Sequence, residues 1–146
     1  MPTYTAKLVT RASVDQAFAY LARFENTVQW DPGVVSARAL SDGPPARGSR
    51  FSLTLRLGGG TEDLAYEITE YDPPRRVALI ADGRTFVSHD EISVAASGAG
   101  SEVTYRAELA LKGLMKLAAP FAGRALRKAG DAAIAGLAHE LAQLGG

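Results

Sequence analysis

Between Arg50 and Leu111 the chain alternates apolar and polar residues, interrupted by short glycine- or proline-bearing breaks, and no other feature constrains its fold as tightly. In an antiparallel pair the positions of facing residues add to a constant set by the turn, so each break tests the phase of the alternation beside it. A turn at Gly59-Gly60 pairs Leu55 with Leu64, Leu53 with Tyr66 and Phe51 with Ile68, and one at Asp82-Gly83 pairs Leu79 with Phe86 and Val77 with Ser88. A turn at Gly98-Ala99 sets Val94 against Val103, Ile92 against Tyr105 and, on the other face, Glu91 against Arg106. The Pro73-Pro74 connection is compatible with Tyr66 facing Leu79. All four connections agree on one apolar face, with Thr54, Arg56, Glu67, Thr69, Glu91, Thr104 and Arg106 on the other. The segments therefore predict a curved antiparallel meander with one dry face, which must be covered.

The last third of the chain supplies the cover. From Phe121 onward Ala122, Leu126, Ala129, Ala133, Leu137, Leu141 and Leu144 recur at helical spacing, with Arg124, Arg127, Lys128 and Asp131 mostly on the far side. Such a helix would run roughly 36 Å, long enough to span a sheet. Its stripe is rich in Ala and Gly (Gly123, Gly130, Gly136), so it either lies very close to its partner or leaves space for something else. Ahead of the meander, Tyr4 to Thr10 alternates as a first strand, and Ser13 offers a helix N-cap before Val14, Ala17, Phe18 and Leu21. A second short helix is expected from Phe24 to Asp31, stopped by Pro32-Gly33, and a strand over Val34 to Leu40. The expected fold class is α+β: a seven-stranded curved antiparallel sheet wrapped around a long C-terminal helix, with two short helices between strands 1 and 2.

A chain of 146 residues fits one domain, 1–146. Lysine plus arginine equal aspartate plus glutamate at 16 each, which leaves no basic field for nucleic acid. The absence of cysteine excludes disulfides, thiol catalysis and cysteine-ligated metals, and two histidines, His89 and His139, are too few for a histidine-rich metal site. No cofactor or metal is expected. The first ten residues lack the apolar core of a signal peptide, and no run reaches the ~18 apolar residues of a membrane span. A cytoplasmic protein without stable membrane insertion is the expectation, as monomer or homodimer.

With this order of elements the chain resembles the START-like superfamily, also called helix-grip, SRPBCC or Bet v 1-like, in its polyketide cyclase/dehydrase and lipid-transport-like branch. The resemblance is carried by Ser13-Val14-Asp15-Gln16-Ala17-Phe18-Ala19-Tyr20-Leu21, by Gln29-Trp30-Asp31-Pro32-Gly33, by Glu70-Tyr71-Asp72-Pro73-Pro74-Arg75-Arg76-Val77, and by Val103-Thr104-Tyr105 with the terminal helix. It implies a helix-grip fold with an apolar cavity between sheet and helix. Members range from lipid carriers to cyclases, so the fold leaves the function open.

The leading expectation is therefore the binding, or transport, of a hydrophobic small molecule such as a lipid or polyketide-like aromatic. Its walls would be Trp30, Phe51, Leu53, Tyr66, Phe86, Ser88, Tyr105 and Leu126. A second reading is a cyclase or dehydratase using Asp90 with Tyr66 or Tyr105 on an apolar carbonyl substrate. It needs Asp90 to face the cavity, whereas the Asp82-Gly83 register sets Asp90 against Arg75 as an ion pair at the sheet margin. A third reading is an interaction module with a filled core. His89 falls outward opposite Glu108, and Gly58-Gly59-Gly60 lacks the lysine and helix start of a phosphate loop. The basic cluster Arg124, Arg127 and Lys128 reads first as a solvated helix face, with contact to an anionic membrane surface as the alternative.

Overall fold

The computed structural model describes residues 1–145. The elements follow the order β1 (Thr3–Thr10), α1 (Val14–Ala22), a 3-10 turn (Phe24–Asn26), α2 (Thr27–Trp30), β2 (Val34–Ala39), β3 (Arg50–Leu57), β4 (Gly60–Asp72), β5 (Arg76–Asp82), β6 (Phe86–Ser97) and β7 (Gly100–Leu111). A second 3-10 segment (Gly113–Ala118) leads into α3 (Ala119–Gly145). One antiparallel sheet has the strand order β1-β7-β6-β5-β4-β3-β2, so the first strand closes beside the last. The α+β class, the seven strands and the long terminal helix are those expected.

Helix α1 starts where its chemistry says it should. Ser13 Oγ accepts from the Gln16 amide at 3.1 Å while Gln16 Oε1 accepts from the Ser13 amide at 2.9 Å, a reciprocal cap. Gln16 Nε2 also donates to the Leu144 carbonyl at 3.2 Å and ties this helix start to the end of α3. Ser13→Ala is expected to cost about 1 kcal/mol, read as a lowered urea midpoint at unchanged slope.

The dry face is the predicted one, but two registers differ from those expected and one more slips along a bulge. Strands β3 and β4 turn tightly at Gly58-Gly59, Gly58 having φ +57°, so Leu53 faces Leu64 and Phe51 faces Tyr66. Strands β5 and β6 join through the wider Gly83 to Thr85 connection, with Ala81 facing Ser88, Leu79 facing Asp90 and Val77 facing Ile92. The physical reason is Glu62, a buried carboxylate that accepts from the Arg84 amide at 3.0 Å and the Thr85 hydroxyl at 2.7 Å and so holds the wider turn. A bulge between Ile68 and Glu70 makes Ile68 face Leu79 and Tyr66 face Ala81, and swings Tyr71 inward, its ring 5.6 Å from that of Phe18 on α1. The β6–β7 register is as expected, including Ile92 opposite Tyr105, Glu91 opposite Arg106 and His89 opposite Glu108.

Helix α3 is uneven along its length. Ala133, Leu137 and Leu141 are buried, whereas Ala122 and Leu126 are only half-buried and Ala129 is exposed. The glycines divide the same way. A side chain on Gly136 would overlap the Trp30 carbonyl oxygen, and one on Gly130 would come within 2.6 Å of the Tyr4 ring, but Gly123 has nothing within 4 Å. The small-residue stripe thus does both things the sequence allowed: close packing from Gly130 onward and open space around Gly123 in the turns before it.

Candidate functional site

The apolar face carries one polar cluster, built mainly on β6. Alternation along that strand turns Phe86, Ser88, Asp90, Ile92 and Val94 inward, all buried. Asp90 is 5% exposed, and its partners are hydroxyls: Ser88 Oγ donates to Oδ1 at 2.6 Å and Tyr105 Oη, reaching diagonally from β7, donates to Oδ2. The expected ion pair with Arg75 does not form. In the observed register Asp90 faces Leu79, while the exposed Arg75 guanidinium meets Asp72 at 3.3 Å. Among the described residues no lysine or arginine pairs with Asp90.

A carboxyl so placed is pushed up in pKa. Burial is the dominant cause, opposed by the hydrogen bonds from Ser88 and Tyr105 and by outward-facing His89. Tyr66, 4% exposed, lies in the row Phe51, Tyr66, Ala81, Ser88, Leu109. Burial and then the Asp90 charge drive both Tyr66 and Tyr105 well above the usual phenol range. Asp31, just after α2, accepts from the Gly33 amide at 2.8 Å; burial raises its carboxyl, the Gly33 hydrogen bond lowers it and Asp90 raises it further. Two acid groups, two phenols and a serine therefore share a low-dielectric space roofed by Trp30, whose ring stands 5.8 Å from that of Tyr105 at 75°. Phenols and a neutral carboxylic acid in such a place can donate hydrogen bonds to a carbonyl or enolate oxygen, and an ionised Asp90 can accept a proton.

Asp90 also sets a pH dependence. Its folded pKa exceeds the unfolded value of about 3.9, so the native state binds more protons and this contribution to stability falls as pH rises from the unfolded value through the folded one. Asp90→Asn is expected to flatten that part of the decline, leaving the share due to Asp31. Urea unfolding at pH steps upward from about 4 measures it.

The cluster lies one strand from an opening. Asp90 faces Ala107 on β7, which faces Tyr4 on β1, and Tyr105 faces Ala6. Thr3, Tyr4, Thr5 and Ala6 form one side of a groove of about 370 Å³ whose other side is Gly123, Arg127 and Asp131 of α3. Tyr4 Oη donates to Asp131 at 2.7 Å, and burial followed by that carboxylate lifts the phenol to about 12. Along the same margin the inward residues Tyr105, Ala107, Leu109 and Leu111 are only half-buried.

The structure thus gathers Trp30, Tyr66, Ser88, Asp90 and Tyr105 around one point. Phe51 and Leu53 lie farther along the sheet on β3, where Phe24 packs its ring 6.2 Å from Phe51 and 5.0 Å from Tyr66. Phe86 is buried at the start of β6, and Leu126 sits on the α3 stretch that borders the groove. Two residues of the cluster and the groove, Asp31 and Tyr4, escape the sequence pattern. Asp31 reads there only as a helix stop, although an acid directly after the sole tryptophan is an available signal, and Tyr4 reads only as a strand residue.

A family model described as "Polyketide cyclase / dehydrase and lipid transport" matches residues 1–142. The chain belongs to this family. No curated protein sequence matches it. Among solved structures, TTHA0849 from Thermus thermophilus is similar with a TM-score of 0.81 at 14% identity, covering 96% of this chain and 97% of its own. A START superfamily protein from Mycobacterium smegmatis gives 0.76 at 16%, covering 97% and 98%. Zhui aromatase/cyclase from Streptomyces sp. R1128 gives 0.79 at 12%, covering 95% and 92%. At these identities the likeness is one of fold, and it bears out the START-like, helix-grip expectation. No helix among the described residues is long and apolar enough to cross a membrane.

Proposed function

We propose that the chain binds a hydrophobic small molecule carrying a carbonyl or hydroxyl oxygen, a lipid or a polyketide-like aromatic. The guest enters between β1 and the N-terminal half of α3 and presents its oxygen to Tyr105 and Asp90. The observation that carries this reading is a buried carboxyl held by two hydroxyls and no cation, one strand away from an open groove. A groove of about 370 Å³ lies within the ordinary range for small-ligand sites. The family is consistent with ligand binding or cyclase-type function.

The test uses 2-naphthol, a fluorescent phenol, titrated into the full chain, with native mass spectrometry of the mildly purified protein to find any retained guest. Gly123→Phe should project into the groove that Gly123 borders, because a Cβ at that position meets nothing within 4 Å. Loss of naphthol binding at an undiminished melting temperature is the expected result. Undiminished binding would place the guest elsewhere, and no binding together with an apo mass alone would support a closed interaction module.

The enzyme reading is favoured by one specific observation, the freedom of Asp90 from Arg75. In that case Asp90 moves a proton while a phenol polarises the carbonyl. Asp90→Asn should then abolish turnover, because an amide cannot take up the proton, whereas in a carrier the amide still hydrogen-bonds the guest's oxygen and naphthol affinity should be nearly unchanged.

A further inference from the structure

Among the described residues, the segment that carries the chain from β7 into α3 has the densest run of exposed large apolar side chains. Leu114 is 85% exposed, Leu117 77%, Phe121 75% and Met115 41%, all within eight residues. Keeping such side chains in water is unfavourable unless a partner covers them. The surrounding charge is of one sign. Between Glu108 and Asp131 the sequence has no acidic residue, while Lys112, Lys116, Arg124, Arg127 and Lys128 fall in that interval. Lys112 is tied to Asp82 and the Gly83 carbonyl; the other four are exposed and form no ion pair among the described residues. Phe121, Arg124 and Lys128 succeed one another at helical steps and share the face of α3 opposite buried Leu137.

We propose that this face docks the protein on an anionic lipid bilayer, Leu114, Leu117 and Phe121 entering the headgroup region while Lys116, Arg124 and Lys128 meet the lipid phosphates. An apolar edge beside a cationic face is the combination that holds amphipathic segments in such an interface. A second copy of the chain is the poorer occupant, since pairing the face with itself would set four unpaired cations against four more. The chain as a whole is neutral, so the attraction is local and not a consequence of net charge. Gly123 and Arg127, which border the groove, belong to the same stretch, so docking would bring that opening to the membrane; the docking itself holds whether or not a guest is carried.

The experiment is sedimentation of the full chain with sucrose-loaded vesicles of phosphatidylcholine, with and without phosphatidylglycerol. Binding is expected only with the anionic lipid, weakening at ~1 M salt, where screening reaches to about 3 Å. L114S/L117S/F121S should remove binding. Arg124→Gln with Lys128→Gln should lower partitioning about 30-fold, at roughly 1 kcal/mol per cation. All five positions are exposed, so the melting temperature should not move. Absence of binding to anionic vesicles, equal binding to neutral ones, or a concentration-dependent dimer abolished by the triple variant would each overturn the proposal.

Discussion

Phe24→Ala is expected to destabilise the protein by about 3–5 kcal/mol, a large share of the ~5–15 kcal/mol that typically separates folded from unfolded domains. Phe24 is 2% exposed and is the largest of the fully buried side chains. It comes from the short 3-10 turn, yet its ring packs against Phe51 of β3 and Tyr66 of β4, so it pins the helical layer to the sheet. Aromatic pairs of this kind add to the burial term. Truncation leaves a ring-sized void beside Tyr66, and strands fixed by their own hydrogen bonds cannot close it. Urea unfolding measures the loss as a drop in midpoint. A loss below about 1 kcal/mol, within the range of an ordinary surface change, would show that the turn is not anchored as described.

Gly136→Ala is expected to cost about 1–3 kcal/mol, although replacing a glycine inside an exposed helix normally gains up to about 1 kcal/mol. The sign reverses because the new methyl would overlap the Trp30 carbonyl oxygen, a backbone atom with no rotamer to escape into. Helix α3 would have to move off α2, disturbing the tryptophan that roofs Asp90. Gly123→Ala, thirteen residues earlier on the same helix, meets open space and should follow the ordinary rule and stabilise. The pair, compared by thermal melts, separates a close-packed half of the helix from an open one. Equal effects at both positions would contradict that division.

The particular residues show where sequence reasoning reached and where it stopped. The inward set on β6, Phe86, Ser88, Asp90 and Ile92, was legible because side chains alternate with a period of two, and any register change by an even number leaves the face untouched. The observed shifts, two positions between β3 and β4 and four between β5 and β6, are even. They preserved the buried face while replacing every partner across those two strand pairs. The partner of Asp90 was therefore the part that went astray, Leu79 in place of Arg75. What decided it was Glu62, more than twenty residues from the turn it holds open and unremarkable within its own stretch of sequence.

The amino-acid sequence alone thus determined the alternation, the capped first helix, the terminal helix and which side of each strand would be dry, since all of these follow from local periodicity and turn chemistry. Only the tertiary structure decided which hydroxyls hold Asp90, that Asp31 stands close enough to feel the Asp90 charge, and which half of α3 lies tight against its neighbours. Those outcomes depend on distances between segments far apart in the chain, where one displaced turn moves a charge by several ångströms and leaves the hydrophobic pattern unchanged.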